Sequence, residues 1–139
     1  MNVRSLFRPA KAIRRAKVLV ADDDAVVRET VRDRLMHRGW DILTACDGRE
    51  ALGTTLQSRP DLVLMDIYMP NMDGLTVLEC LRREPAVRDT LVMIVTSSDR
   101  VSDITRAASW NIADYVTKPF SAAELVARVD QALHRVNIL

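Results

Sequence analysis

The chain has 139 residues, of which 48% are apolar, and a formal net charge of +1. This length and composition suffice for one hydrophobic core and exclude a second folded domain of ordinary size. Its apolar runs are far shorter than the roughly 20 residues that a membrane-spanning helix needs, so a soluble protein is expected. Cys46 and Cys80 are distant and form no C-x-x-C motif, which favours free thiols in a reducing compartment over a disulfide framework or a zinc site.

The charge is distributed unevenly along the chain. The first 16 residues contain no acidic residue and five basic ones, Arg4, Arg8, Lys11, Arg14 and Arg15, which leaves the rest mildly acidic. Such a leader is typical of a solvated tail or a short helix outside the core, with contact to a membrane surface or nucleic acid and a targeting role as open alternatives. We predict a basic extension over residues 1–16 and one folded domain over residues 17–139.

From Lys17 onward, short apolar runs alternate with longer segments of helical periodicity. The short runs are too brief for helices and are rich in Val, Ile and Leu, which predicts strands buried on both faces of a sheet. They occupy residues 18–21, 41–46, 62–66, 91–96 and 113–117. Five strand-then-helix units in succession predict an α/β fold with a doubly wound, five-stranded parallel sheet, covered by helices on both faces through right-handed crossovers.

The first and last helical segments have the clearest signals. Asp24 is the predicted N-cap of the first helix, and Gly39 stands where a left-handed residue would end it. The apolar stripe of that helix is Val27, Val31 and Leu35. The stripe of the last helix is Ala122, Leu125, Val126, Val129, Leu133 and Val136.

Polar residues follow the strands at the carboxyl edge of the predicted sheet, where ligands bind in open α/β folds. They are Asp22, Asp23, Asp66, Thr96, Ser97 and Lys118. Two carboxylates about 4 Å apart repel by on the order of 4 kcal/mol at an effective dielectric near 20, so either a carboxyl keeps its proton or a cation lies among them. Oxygen ligands of this kind suit Mg²⁺, which predicts a divalent-metal pocket.

The metal suggests a use for Asp66. A carboxylate can attack phosphorus when a metal and a cation neutralise the phosphoryl oxygens and hold the reactants in line. Thr96 and Lys118 are the residue types needed to bind two of those oxygens. An aspartyl phosphate is the predicted product.

Four motifs in register, "VLVADDD", "LVLMDIYMPNMDG", "VTS" and "DYVTKPF", resemble the receiver domain of bacterial two-component response regulators, in its single-domain, chemotaxis-regulator-like form. The resemblance covers residues 17–139 almost without a gap. It implies a flavodoxin-like (βα)5 fold with strand order 2-1-3-4-5. It also implies a phosphorylation-activated switch that catalyses only its own phosphorylation and dephosphorylation and that is otherwise no enzyme.

The resemblance assigns roles residue by residue. Asp66 becomes the phosphoacceptor, and Asp22, Asp23, Asp66 and the backbone carbonyl of Tyr68 become the ligands of Mg²⁺, or of Mn²⁺ in its place. Lys118 would pair with Asp66 at rest and with a phosphoryl oxygen after transfer, while Thr96 takes another oxygen and Ser97 lies beside the phosphate. The Lys118–Pro119 peptide is expected to be cis. Tyr68 also stands near the expected path of attacking water, where it would slow hydrolysis.

Tyr115 would be an ordinary packed aromatic on the sequence alone, whereas the resemblance implies that it swings inward when the threonine moves toward the phosphoryl group. The face formed by the fourth helix, fifth strand and fifth helix would then change for partner binding or phosphorelay. Asn111 and Ile112 depart from the Gly-Ala that the family usually has before the fifth strand. Asn tolerates a left-handed conformation, so the turn is expected to survive. Trp110 and Ile112 are either core residues or a partner contact.

The resemblance implies cytoplasmic partners: a histidine kinase or a histidine phosphotransfer protein as donor, and a downstream protein bound at the Tyr115 face. A phosphorylation-dependent homodimer is a further expectation. His37 and His134 do not resemble phosphodonors. The chain ends soon after the fifth helix, so no DNA-binding domain is expected, and a stand-alone regulator, a relay and a piece of a longer protein are all open.

Three other interpretations compete. A haloacid-dehalogenase-type phosphatase needs a second aspartate two residues after the first, where this chain has Tyr68. A flavodoxin-like cofactor binder needs a phosphate loop after the first strand, where "DDD" would repel phosphate. A non-phosphorylated pseudo-receiver is the remaining alternative, and the complete acidic set with Thr96 and Lys118 argues against it.

Overall fold

A computed structural model describes residues 14–135 of the chain. Strands and helices alternate throughout. The strands are β1 Lys17–Ala21, β2 Asp41–Ala45, β3 Leu62–Met65, β4 Leu91–Thr96 and β5 Asp114–Thr117. The helices are α1 Ala25–His37, α2 Gly48–Ser58, α3 Gly74–Arg83, α4 Val101–Ser109 and α5 Ala122–His134.

The five strands form one parallel sheet in the order β2-β1-β3-β4-β5, which confirms the predicted topology. The predicted burial on both faces is right for β1, β3 and β4. It is wrong for β2 and β5, which keep exposed or half-buried residues because they lie at the edges of the sheet. Predicted strand ends differ from the observed ends by at most one residue, both ends of β4 agree, and Asp66 itself follows β3.

Alternate residues of the central strands build two cores, one on each face of the sheet. Leu19 and Met65 face α2, α3 and α4, and their cluster includes the fully buried Leu78 of α3. Val18 and Leu64 face α1 and α5, and their cluster includes Leu35 and Leu133 from those helices. The doubly wound arrangement leaves the carboxyl ends of the strands as the open edge.

The predicted helix signals are found where the sequence places them. Asp24 accepts hydrogen bonds from the amides of Val26 and Val27, and Gly39 has a φ of +96°. The stripe of α5 is buried at Leu125, Val129 and Leu133, among others. The last member of that stripe, Val136, lies outside the described residues.

Asn111 replaces the family's glycine without breaking the turn between α4 and β5. Its φ is +58°, in the left-handed region that asparagine tolerates. The carbonyl of Asn111 accepts a hydrogen bond from the guanidinium of Arg82 at 3.3 Å, and that of Trp110 accepts another at 2.8 Å. Trp110 and Ile112 pack, half buried, against the core on the α3 side, which supports their core interpretation.

Only the end of the basic leader belongs to the described part of the chain. Arg14 binds both carboxylate oxygens of Asp61 at 2.8 Å, and Arg15 lies 3.7 Å from the carboxylate of Asp41. The preceding basic residues, Arg4, Arg8 and Lys11, fall outside it. The predicted division into a 1–16 extension and a 17–139 domain therefore stays a prediction. Among the described residues, no helix has the length and apolar character needed to cross a membrane.

Candidate functional site

The carboxyl edge of the sheet brings the predicted polar residues together. Asp22 follows β1, Asp66 follows β3 and Lys118 follows β5, and each is held by a backbone bond to a neighbouring strand. The amide of Asp22 donates to the carbonyl of Ala45 at 3.1 Å, and that of Asp66 donates to the carbonyl of Ala21 at 3.0 Å. The sheet therefore fixes where these side chains begin.

Lys118 connects two carboxylates from different strands. Its ammonium donates to Oδ2 of Asp22 at 2.6 Å and to Oδ2 of Asp66 at 3.0 Å. Both aspartates are buried, at 4% and 7% exposure, so this contact lies largely out of water. The peptide between Lys118 and Pro119 is cis, as predicted.

Burial and hydrogen bonds between the charged groups shift the pKa values of two residues in this pocket. Burial raises the pKa of Asp22 above its usual value, and hydrogen bonds from Lys118 and the amide of Asp24 offset only part of that rise. Burial would lower the pKa of Lys118, but the hydrogen bonds to Asp22 and Asp66 outweigh it and the pKa is raised. Lys118 therefore stays protonated and positively charged. Its single positive charge does not balance the carboxylates of the acidic cluster.

The donor set fits a hard divalent cation. Asp22, Asp23 and Asp66 each place one carboxylate oxygen within 4.8 Å of the others, with Asp23 on the solvent side. Three clustered carboxylates with one lysine carry excess negative charge, and all-oxygen ligands suit Mg²⁺. The described residues also contain a second group of possible metal ligands, Cys46 with Asp47 and Glu50. A hydrogen bond between the Cys46 thiol and Glu50 raises the pKa of that thiol. Both cysteines are free.

Thr96 and its neighbours line the β4 side of the pocket. Thr96 is fully buried at the end of β4, Ser97 is exposed and Ser98 is buried. The amide of Ser98 lies 3.4 Å from the hydroxyl oxygen of Thr96, and the amide of Lys118 donates to the Thr96 carbonyl at 2.8 Å. The hydroxyl is thus held beside the strand that delivers Lys118.

Tyr115 is half buried and packs against the core on the α3 side of the sheet. Its hydroxyl donates to the backbone carbonyl of Ser98 at 2.8 Å, which links β5 to the loop after Thr96. Burial raises the pKa of Tyr115, so the hydroxyl stays protonated as a donor. The predicted switch residue is therefore in direct contact with the loop it would sense.

Sequence reasoning missed three residues around the pocket, Arg28, Ser98 and Asp103. Arg28 donates to the backbone carbonyl of Asp22 at 2.8 Å. Asp103 accepts hydrogen bonds from the hydroxyls of Tyr68 and Ser98. The sequence signal for Asp103 was only an acid in the first turn of a helix, which is common for capping reasons alone.

Gly74 explains the end of the "DG" motif. A Cβ at this position would lie 2.0 Å from the backbone carbonyl oxygen of Asp66, and the Gly74 amide donates to the carbonyl of Ile67 at 2.7 Å. The chain returns to the backbone of Asp66 so closely that only glycine fits. The N-terminus of α3 therefore supports the backbone of Asp66.

Comparison with known proteins agrees with this arrangement. The model of the response regulator receiver domain family matches residues 18–130. TcrX, a probable transcriptional regulatory protein of Mycobacterium tuberculosis, is 41% identical over 122 residues, which cover 87% of this chain and 51% of that protein. The response regulator MprA of Mycolicibacterium vanbaalenii is 39% identical, with 86% and 51% covered.

Solved structures show the same fold. The receiver domain of Francisella response regulator 1452 superposes with a TM-score of 0.81 at 34% identity, covering 88% of this chain and 99% of that one. The chemotaxis response regulator CheY4 of Vibrio cholerae gives a TM-score of 0.80 at 28% identity, covering 86% and 100%. This chain spans about half the length of the curated relatives it matches. It belongs to the response regulator receiver domains, the phosphorylation-activated switches of two-component signalling.

Proposed function

We propose that Asp66 accepts a phosphoryl group from a phosphohistidine of a partner histidine kinase or histidine phosphotransfer protein. The observation that carries this proposal is the Lys118 ammonium, bonded to both Asp66 and Asp22 inside a cluster of three carboxylates. A carboxylate oxygen of Asp66 attacks phosphorus while the donor's P–N bond breaks. The electron pair goes to the leaving imidazole nitrogen, which takes up a proton.

The rest of the pocket neutralises and positions the transferred group. Lys118 moves its hydrogen bond from the Asp66 carboxylate to a phosphoryl oxygen, and the Thr96 hydroxyl donates to another. Ser97, small and exposed, leaves room beside the phosphate. Asp22, Asp23, Asp66 and the Tyr68 carbonyl would hold Mg²⁺, or Mn²⁺ in its place, which supplies positive charge to the phosphoryl oxygens.

This chain offers the phosphodonor protein an apolar docking surface beside the pocket. A groove of about 440 Å³ runs beside the pocket, and Lys118 belongs both to its wall and to the contacts of Asp66. Its lining residues are Val26, Val27, Thr30, Val31, Lys118, Pro119 and Phe120. A partner surface seated there would present its phosphohistidine at Asp66.

Output would pass through the face formed by α4, β5 and α5. The Tyr115 hydroxyl is bonded to the loop after Thr96, so movement of Thr96 toward a phosphoryl group would reach β5 through one hydrogen bond. That face would bind a downstream protein or a second copy of the chain.

Free thiols at Cys46 and Cys80 support a reducing, cytoplasmic compartment. The chain catalyses only its own phosphorylation and dephosphorylation.

Intact-mass measurement tests the proposal. The chain is incubated with acetyl phosphate, with and without Mg²⁺, and compared with Asp66→Asn. We expect one phosphoryl group on the parent only when Mg²⁺ is present, and none on the variant. A folded parent that binds Mg²⁺ yet gains no phosphoryl group from acetyl phosphate or from a histidine phosphotransfer protein would favour the pseudo-receiver interpretation.

A further inference from the structure

Tyr68 crosses from the phosphoacceptor loop to α4. Its amide lies 3.4 Å from Oδ1 of Asp66, and its hydroxyl donates to Oδ2 of Asp103 at 2.8 Å. The residue is 47% exposed, so the ring lies at the surface between these two ends. It therefore spans the solvent side of the gap between the loop after Asp66 and the start of α4.

Asp103 receives a second hydrogen bond at the same oxygen. The hydroxyl of Ser98 donates to Oδ2 at 2.5 Å, which ties the loop after Thr96 to the same carboxylate. Hydrogen bonds to a charged acceptor are about twice as strong as neutral ones. Asp103 also stands in the first turn of α4, where the helix dipole favours a negative charge. The carboxylate is thus a strong acceptor at a fixed place.

The network continues past Ser98 to the proposed switch residue. The backbone carbonyl of Ser98 accepts the hydroxyl of Tyr115, and the amide of Ser98 lies beside the Thr96 hydroxyl. Asp103 is therefore the residue through which the Tyr68 ring is joined to the loop that responds to phosphorylation. None of these contacts needs the metal.

We propose that Asp103 is a positioning residue that holds the Tyr68 ring across the solvent side of the phosphoryl pocket and so lengthens the life of the aspartyl phosphate. This inference rests on the proposed phosphorylation of Asp66. In hydrolysis, a water oxygen attacks phosphorus and the bond from phosphorus to the Asp66 oxygen breaks. The carboxylate leaves with the electron pair, phosphate is released, and the proton of water passes to phosphate or solvent. A ring fixed across the approach slows this attack.

The test follows loss of the phosphoryl group after phosphorylation with acetyl phosphate and Mg²⁺ and removal of the donor. We expect Asp103→Ala to shorten the lifetime by about three- to tenfold, the size of one lost hydrogen bond. Tyr68→Phe should shorten it similarly, and the double variant should add nothing further, because both changes free the same ring. Asp103→Asn keeps a carbonyl acceptor and should retain most of the lifetime.

Two controls separate positioning from stability. Asp99→Ala removes an exposed carboxylate nearby that accepts no hydrogen bond from the described residues, and it should leave the lifetime unchanged. The melting temperature should stay near the parent's value in Tyr68→Phe and in Asp103→Asn, and Asp103→Asn should also keep the parent's rate of phosphorylation by acetyl phosphate. A shortened phosphoryl lifetime in Tyr68→Phe at an unchanged melting temperature is not expected of a merely structural residue.

Two outcomes overturn the inference in different ways. A parent lifetime retained by Tyr68→Phe and by a folded Asp103→Ala would contradict the role of Asp103 and leave the proposed function intact. If Asp103→Ala does not fold, Tyr68→Phe alone decides, since it keeps the ring and the backbone carbonyl and removes only the hydroxyl. A parent that is never phosphorylated overturns both the inference and the proposed function.

Discussion

Asp66 is a carboxylate placed directly after a fully buried strand, where charge is costly. The Lys118 ammonium compensates for part of that cost, and the same ammonium also donates a hydrogen bond to Asp22. Because one cation faces three carboxylates, the pocket keeps a net negative charge that stability alone would not favour. At the residue scale, this imbalance is the physical basis for expecting a divalent cation and a phosphoryl group here.

Gly74→Ala should damage both stability and the acceptor. The new Cβ would lie 2.0 Å from the carbonyl oxygen of Asp66, so the backbone must shift. We expect a loss of about 1 to 3 kcal/mol in the free energy of unfolding, the usual range for overpacking, and slower phosphorylation. Urea unfolding and the acetyl phosphate assay measure the two effects.

Gly53→Ala is the matched control, because a Cβ at Gly53 meets nothing within 4 Å and the residue lies inside α2. Alanine should there stabilise the chain by about 0.5 to 1 kcal/mol through helix propensity. If Gly74→Ala were as stable as the parent and were phosphorylated at the parent's rate, the close approach of Gly74 to the Asp66 carbonyl would matter neither for stability nor for phosphorylation.

The sequence predicts which residues lie close together when each of them directly follows a strand of the parallel sheet. Asp22, Asp66 and Lys118 come together because each directly follows a parallel strand, and that placement is legible from the alternation of elements. Asp103 was missed for the opposite reason. Its contact with Tyr68 joins a loop to the first turn of α4 across 35 positions of the sequence, and no periodicity specifies it.

At the element scale, Arg82 joins two connections that the strands do not hold. Its guanidinium donates to the carbonyls of Arg88 and Thr90, between α3 and β4, and to those of Trp110 and Asn111, between α4 and β5. Its half-buried position lowers its pKa, yet arginine stays charged. The Asn111 turn that replaces the family's Gly-Ala is thereby anchored.

Arg82→Met should therefore lower the free energy of unfolding by about 2 to 4 kcal/mol, because several carbonyls lose a charged donor. Arg83→Met is the control. Arg83 is exposed and its guanidinium carbon lies 5.6 Å from the Trp110 ring centre, a contact of about 0.5 to 1 kcal/mol. Equal losses in urea unfolding of the two variants would argue against the anchoring role of Arg82.

Asp61 gives the fold a pH dependence at the amino edge of the sheet. Burial would raise its pKa, but hydrogen bonds from Arg14 and the Lys17 amide outweigh burial and hold the pKa below its usual value. A carboxyl with a lowered folded-state pKa stabilises the fold above its unfolded pKa, near 3.9, and loses that contribution as pH falls through the folded value.

Melting temperatures across the acid range test this contribution. Asp61→Asn should melt below the parent at pH 7, and the difference should narrow as the pH falls below about 4. Asp41→Asn is the control, because Asp41 is exposed and its contact with Arg15 is 3.7 Å. A difference between the parent and Asp61→Asn that stays constant down to pH 2 would contradict the role of the Asp61 charge.

The elements were predictable from the alternation of short apolar runs with helical segments, whereas the strand order, in which the connection from β2 to β3 crosses β1, came from the resemblance to the family. The sequence alternation predicts five strands and five helices, and the structure differs from it only at strand ends and in the exposure of the two edge strands. Burial at β2 and β5 was overestimated because apolar runs do not report position within a sheet. Their exposure follows from the order of strands, which only the whole fold defines.

At the scale of the whole molecule, phosphorylation should change the face formed by α4, β5 and α5. The link is the Tyr115 hydroxyl on the Ser98 carbonyl, and couplings of this kind are worth about 1 to 3 kcal/mol. Phosphorylation should therefore alter hydrogen–deuterium exchange over residues 97–117 in the parent.

Tyr115→Phe should still accept the phosphoryl group but show a smaller change in exchange over the same residues, because it lacks the hydroxyl. Exchange in α2, which packs beside β1 and β2 at the opposite end of the strand order from β5, serves as the internal control. A phosphorylated Tyr115→Phe variant that matched the phosphorylated parent throughout would exclude this hydrogen bond as the link.

The central claim, that Asp66 carries the phosphoryl group, is tested most directly by chemical trapping. Borohydride reduces an acyl phosphate to an alcohol, so treatment of the phosphorylated chain followed by peptide mapping identifies the modified residue. We predict that Asp66 is converted to homoserine in phosphorylated samples alone and that Asp22 and Asp23 stay unchanged. Homoserine at Asp22 or Asp23, or its absence from a chain that has gained a phosphoryl group, would contradict the assignment.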